Sequence, residues 1–285
     1  MRRHELTDQE WELLAPLIPR AATGRPRVKD RQVVNGMVYK IRTGISWRDL
    51  PERYGPWKTV YTRFRRYALD GVFTRALQQI QARADTAGDI DWLVQIDSTI
   101  VRAHQHAAAT GRKGGSTGDE PDDHALGRSR GGLTTKIHLA CDGRGRPLAV
   151  LLTPGQRHDS VCARPLLERI RVPRTGQGRP RCRPDRVIAD KAYSSRGFRA
   201  YLRRRGIACT IPEKNDQQRH RHNRGRHGGR PPTFDRQLYR RRNVVERCFN
   251  QLKGFRGIAT RYDKTATSYE AAVNLASLLL WARSV

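Results

Sequence analysis

The chain has 285 residues, 56 Lys and Arg against 27 Asp and Glu, and a formal net charge of +29. With 37% hydrophobic residues it can build a core in one large or two modest domains, which excludes a wholly disordered chain. Of the basic residues 47 are Arg, whose planar fork grips phosphate oxygens in pairs, so a nucleic-acid partner is the leading expectation.

Met1 is followed by no apolar signal region, and the apolar stretch Ala271 to Ala282 is too short to span a bilayer. Cys141, Cys162, Cys182, Cys209 and Cys248 lack C-x-x-C spacing, so neither a zinc knuckle nor a disulfide framework is expected. The expected protein is soluble, sits in a reducing compartment and has no membrane partner.

In chain order, Thr7-Asp8-Gln9-Glu10 forms a capping box that opens a helix with Trp11, Leu14, Leu17 and Ile18 on one face. A second helix is predicted from Asp30, with Val33, Val34, Met37, Val38 and Ile41 at helical spacing and Gly44 as its cap. A third, from about Trp57 to Asp70, turns Val60, Phe64, Tyr67 and Ala68 inward and Arg63, Arg65 and Arg66 outward. Residues 1–85 thus read as a small all-α domain that suits a helix-turn-helix-like DNA-binding module. An ordinary helical bundle with a basic face fits the same pattern.

Residues 86–285 change period. Strand-like runs cover Trp92 to Asp97, Thr134 to Ala140, Leu148 to Thr153, Val187 to Asp190 and Ile207 to Ile211. Helices are predicted at Ser160 to Ile170 and Ser195 to Arg205, giving an α/β sheet covered by helices. Flexible loops are expected near 107–132 and 213–232. The second holds the Arg and His run Arg219 to Arg230, read as a loop that contacts phosphates.

The segment Tyr239 to Lys253 carries the most chemistry. On a single helix Tyr239, Arg242, Glu246 and Lys253 fall within roughly 60° of one another, while Val244, Val245, Cys248 and Leu252 gather opposite. A surface i,i+4 salt bridge between Arg242 and Glu246 is the plain alternative. Asp97 and Asp190 each close an apolar run, where an acid is costly unless paired or bound to a cation. Three carboxylates make an all-oxygen site for Mg²⁺, with Mn²⁺ as substitute, and two such ions suit in-line phosphoryl displacement. His104, His106, His138 and Cys141 lack the spacing of a compact zinc site, and Asp159 or Ser160 next to His158 reads as a helix cap.

Asp97, Asp190 and Glu246, with the spacing Y-x2-R-x3-E-x6-K from Tyr239 to Lys253, resemble the motif of bacterial DDE transposases. The blocks Gly127 to His138, Asp190-Lys-Ala-Tyr193, Arg256 to Lys264 and Arg42 to Pro51 are similar to the insertion sequence 5 family. The resemblance runs from about residue 5 to residue 270. It implies an RNase H-like catalytic core, a mixed five-stranded sheet flanked by helices, in which the three acids are catalytic and hold the metal. It also implies DNA contacts by Tyr239, Arg242, Lys253 and Lys191, with Arg63, Arg65 and Arg66 added from the third helix.

The implied activity is that of a transposase. Such a protein binds terminal inverted repeats of double-stranded DNA, cuts, and joins the 3′-OH ends to target DNA, as a homodimer or larger in the bacterial nucleoid. A nuclease or resolvase without joining, or a non-enzymatic repressor, are the alternatives.

Overall fold

The capping box closes as expected: Thr7 Oγ1 accepts from the Glu10 amide and Glu10 Oε2 accepts from the Thr7 amide, both at 2.9 Å, opening α1 (Asp8–Leu14). The computed structural model describes residues 4–19, 28–108, 124–129 and 131–284. Helix α2 (Asp30–Thr43) ends at Gly44 with φ +72°, a left-handed cap that glycine adopts without strain. Then come α3 (Trp57–Leu69) and α4 (Val72–Thr86). Helix α4 is not among the predicted elements, since only Asp70 and Gly71 separate it from α3. Its inward residues Val72, Phe73, Ala76, Leu77 and Ile80 nonetheless keep helical spacing.

The remaining elements are β1 (Leu93–Ala103), α5 (Gln105–Ala108), β2 (Gly127–Ser129), β3 (Gly132–Cys141), β4 (Pro147–Pro154), α6 (Asp159–Glu168), β5 (Arg186–Ile188), α7 (Arg196–Arg204), β6 (Ala208–Thr210), α8 (Asn215–Asn223), α9 (Arg236–Tyr239), α10 (Asn243–Lys253), α11 (Arg256–Ala259), β7 (Thr260–Arg261) and α12 (Ala266–Ala282). The central sheet order is β4-β3-β1-β5-β6. β4, β3 and β1 pair antiparallel, and β5 and β6 run parallel to β1. That is the expected five-stranded RNase H-like arrangement, extended to seven strands by β2 on β3 and β7 on β1.

Helix α12 is buried almost all round, which fits its nearly uncharged sequence, and packs on α4, α3 and β4. Trp281 Nε1 donates to the Pro147 carbonyl at 2.7 Å, Asn274 Nδ2 to Thr74 Oγ1 at 3.0 Å, and Arg283 Nε to Glu10 Oε1 at 3.0 Å. One core therefore runs from the N-terminal helices through α12 to the sheet. Close approach needs Gly257, where a Cβ would stand 3.0 Å from the Ile41 carbonyl oxygen of α2. Among the described residues no helix is long and apolar enough to cross a membrane.

Two expectations about loops need amending. The expected flexible loop at 213–232 instead carries α8 and a 3₁₀ turn over Gly225–Gly228. Helix α8 is polar on every side, so no apolar period announces it. It is held by Gln217 Nε2 donating to the Ser194 carbonyl (2.6 Å), Ser194 Oγ donating to Gln217 Oε1 (2.7 Å) and an Arg221–Glu213 ion pair. Of the loop expected near 107–132, residues 109–123 and 130 lie outside the described residues, while α5 and β2 occupy its ends.

Candidate active site

Asp97 lies inside β1, not at its end as its apolar run implied, because β1 continues through Ser98, Thr99 and Ile100 by pairing with β3. Its Oδ1 accepts from the Ser98 amide at 2.8 Å and its Oδ2 from Arg242 Nη2 at 2.9 Å. Burial pushes the Asp97 carboxyl above the ordinary carboxylate value; Arg242 and the Ser98 amide oppose this, and the neighbouring Asp190 charge adds to it. Asp190 follows β5, the strand beside β1, and caps a 3₁₀ turn (Lys191–Tyr193) by accepting from the Ala192 amide at 2.8 Å.

Glu246 comes from α10, whose Val244, Val245, Cys248 and Leu252 are packed into the core. Its Oε1 accepts from Arg242 Nη1 at 2.9 Å. The segment Tyr239 to Lys253 is not one helix: α9 ends at Tyr239, a 3₁₀ turn covers Arg240–Arg242, and α10 begins at Asn243. The backbone stays right-handed helical through the join, so Arg242 still reaches Glu246 one turn on.

Arg242 thus places one guanidinium between two carboxylates that come from a strand and a helix. Burial would lower its pKa, but Asp97, Tyr239, Glu246 and Asp190 together outweigh this and hold it above the usual value. Its Nε is buried and has no hydrogen-bond partner among the described residues. As the side chains stand, no three His, Cys, Asp or Glu among the described residues form a metal cluster. The donors nevertheless suit a hard cation: all are carboxylate oxygens, the Asp97 carboxyl is disfavoured as an anion by burial and by Asp190, and a cation already bridges Asp97 to Glu246.

A second layer went unread in the sequence. Asp159 Oδ1 accepts from Ser98 Oγ at 2.8 Å and from Lys136 Nζ at 2.9 Å. Burial would raise its pKa, yet the Lys136 and Ser98 hydrogen bonds outweigh that and hold it below the usual range. The cap of α6 is therefore His158, whose Nδ1 accepts from the Ser160 amide, and Asp159 is turned inward. Tyr193 is buried beside these acids, and burial, with Asp97 next, pushes its phenol far up. His138 Nε2 bonds Thr153 Oγ1 at 2.8 Å, and burial lowers its pKa to about 4. The alternation of Lys136 and His138 on β3 was the available clue, since it turns both to one face.

The expected DNA contacts divide. Arg66 and Lys191 are exposed. Tyr239 packs on Phe234 at 5.1 Å between ring centroids, and its phenol is raised chiefly by burial. Lys253 Nζ lies 3.5 Å from the Ile100 carbonyl, with its pKa lowered by burial. Arg242 is turned to the acids. Arg63 contradicts the outward assignment: it is buried, pairs with Asp30 at 2.9 Å and donates to the Val28 carbonyl. Arg65 is half-buried and ties α3 to α12 through Thr265 Oγ1 and Ser268 Oγ. Both leave the DNA-contact set because their charges are engaged inside the fold.

A family model described as "Transposase DDE domain" matches residues 90–281. The chain belongs to the DDE transposase family. A second model, "Putative transposase of IS4/5 family", matches residues 6–77 of this transposase. The "Putative transposase for insertion sequence element IS6501" of Brucella ovis is 34% identical over 151 residues, covering 53% of this chain and all of that one. The corresponding protein of element IS402 from Burkholderia cepacia is 33% identical over 58% of this chain and 67% of its own length. A solved Mos1 transposase paired-end complex with left transposon end aligns with 83% of this chain and 82% of that one at 11% identity, with a TM-score of 0.25, too loose to bear on fold or site. The insertion-sequence relationship thus rests on sequence, and the sheet order stands on the structure of this transposase alone.

Proposed function

We propose that Asp97, Asp190 and Glu246 are the catalytic acids of this transposase, acting on the phosphodiester backbone of double-stranded DNA. The observation that carries the reading is the single Arg242 guanidinium shared by Asp97 and Glu246, with Asp190 beside them. It is a carboxylate site that demands a cation. The three acids would hold Mg²⁺ or Mn²⁺, two ions per site, which supply charge neutralisation at the scissile phosphate and a more acidic attacking water.

The chain's own groups divide the remaining work. Ser98, Asp159 and Lys136 fix the β1 segment that aims Asp97. Arg242, once the acids have another cation, is free to pair with a phosphate, for which its fork is suited. Exposed Lys191 beside Asp190, and Lys253, add positive charge along the DNA end, and Tyr239 orients the terminal nucleotides. Stabilisation in such chemistry comes from positioning and electrostatics, with no covalent intermediate on the protein.

The helical region, residues 1–85, binds the terminal inverted repeats, with Arg66 rather than Arg63 or Arg65 facing DNA. Bringing two ends together requires a dimer or larger, working at the nucleoid in the cytoplasm. The test is a joining assay with a pre-cleaved 3′-OH end, a plasmid target and Mg²⁺. Joined product is expected. Cleavage of uncut ends without joined product would replace the reading with a nuclease or resolvase, and DNA binding with neither reaction would replace it with a repressor.

A further inference from the structure

Beyond the acid site lies a cleft of about 1070 Å³ between α7, the edge strand β6, α8 and the chain around Arg230. Its lining is heavily cationic, with Glu213 as the lone acid, and Glu213 is already neutralised by its ion pair with Arg221. Arg196, Arg203, Arg224 and Arg230 are exposed, and their guanidinium groups make no ion pair or hydrogen bond with any described residue. Four unpaired guanidinium groups around one concavity repel one another and bind polyanions.

The cleft is also rigidly joined to the acid site. Arg199 Nη2 in its wall donates to Ser194 Oγ at 3.1 Å and to the Ile211 carbonyl at 2.7 Å, while Gln217 grips Ser194 from the α8 side. Ser194 directly follows the turn that carries Asp190 and Lys191. A strand lying in the cleft would therefore run up to that turn.

The geometry points to this cleft as a second DNA site, one that holds the phosphodiester backbone of the duplex receiving the 3′-OH ends without reading its sequence. It rests on the transposase reading above. Concave walls meet phosphates, whereas base edges are read by an element inserted into a groove. Gln217, the amide in the lining, is occupied by Ser194. A receiving duplex has arbitrary sequence, which matches a site whose lining is dominated by arginine charge.

The test is equilibrium binding by the full chain, without divalent ions so that no chemistry intervenes. Two fluorescent duplexes are compared, one of random sequence and one carrying the element's inverted repeat. The double variant Arg196→Glu/Arg224→Glu is expected to weaken random-duplex binding at least about tenfold and to lower the slope of log affinity against log salt by roughly 2. Inverted-repeat binding should stay within about threefold. A control of equal charge change on exposed positions of α4 and α6, Arg83→Glu/Arg164→Glu, should leave random-duplex binding within about threefold. Arg196→Lys/Arg224→Lys, which keeps the charge, should retain most of the affinity.

Equal loss in the control would reduce the effect to net charge and overturn the assignment. A loss confined to the inverted-repeat duplex would give the cleft to the element end instead. Unchanged binding of both duplexes would leave the cleft with no DNA. None of these outcomes touches the joining assay, which tests the acid site separately.

Discussion

Two of the molecule's arginine–carboxylate clusters are finished to different degrees. At the turn between β3 and β4, Arg146 is buried, donates to Asp142 Oδ2 through Nε (3.0 Å) and Nη2 (2.7 Å), pairs with Asp89, and lies 4.1 Å from the Trp281 ring centroid. Asp142 also accepts from the amides of Arg144 and Arg146. Neither Arg146 nor Asp142 leaves a buried polar atom unsatisfied. At the acid site, one guanidinium serves Asp97 and Glu246, its Nε has no partner among the described residues, and the Glu246 side chain is 50% exposed. A closed network of this kind fixes a fold; an open one, holding acids that want more positive charge than they have, can receive something.

The contrast yields a graded set of tests. Asp97→Asn should lower joining by at least about a thousandfold, roughly 4 kcal/mol of transition-state stabilisation, while circular dichroism and end binding stay unchanged. Activity retained in a folded Asp97→Asn protein would erase the distinction between the two clusters. Arg146→Ala should destabilise the chain by about 3–5 kcal/mol in urea unfolding, because it strands the buried Asp142 carboxylate. A loss below about 1 kcal/mol would show that the closed cluster is dispensable.

His138 adds a pH dependence on the open side, where Lys136 and Asp159 face it. Burial favours its neutral form, so its folded pKa of about 4 lies below the ordinary value of 6.5. The unfolded chain then binds the proton first. Stability is complete above pH 6.5 and falls as the pH drops from about 6.5 to about 4, by on the order of 3 kcal/mol. His138→Gln should flatten that part of the stability–pH curve; an unchanged slope would assign it to other groups.

Arg242→Gln should cost about 1–2 kcal/mol of stability, less than Arg146→Ala, since the Glu246 end of its pair is half exposed and screened and Asp97, already pushed up by burial, can take a proton in place of the lost cation. It should also make the protein gain more from added Mn²⁺, read as a larger rise in melting temperature than in the wild type, because the guanidinium no longer competes for the acids. An equal or smaller gain would mean that Arg242 and the metal do not share those oxygens. Smallest of all, Arg66→Ala should change stability by less than about 0.5 kcal/mol while weakening end binding.

What could be read in the sequence was what depends on neighbours within a turn or two. The Thr7–Glu10 box, the Gly44 cap, the packed face of α10 and the acids beside apolar runs were all visible there. Arg63 was misread because a long cation sits between Val60 and Tyr67 on the inward face, and the partner that makes this tolerable, Asp30, lies on another helix. The role of Asp159 was hidden for the same reason: its partners Ser98 and Lys136 belong to strands far away in the chain. Helix α8, polar on every side, offered no period, and α12, apolar on nearly every side, offered no face. The extent of β1 past Asp97 depends on its pairing with β3, which no local pattern announces.

The central claim is that the half-satisfied acid cluster, and not the closed one, carries the chemistry. It is tested most directly by the joining rate of Glu246→Gln, counted per folded molecule, with a pre-cleaved end and Mg²⁺. The expected rate is below about one thousandth of the wild-type rate, with melting temperature and end binding preserved. Joining at the wild-type rate by folded Glu246→Gln would contradict the assignment.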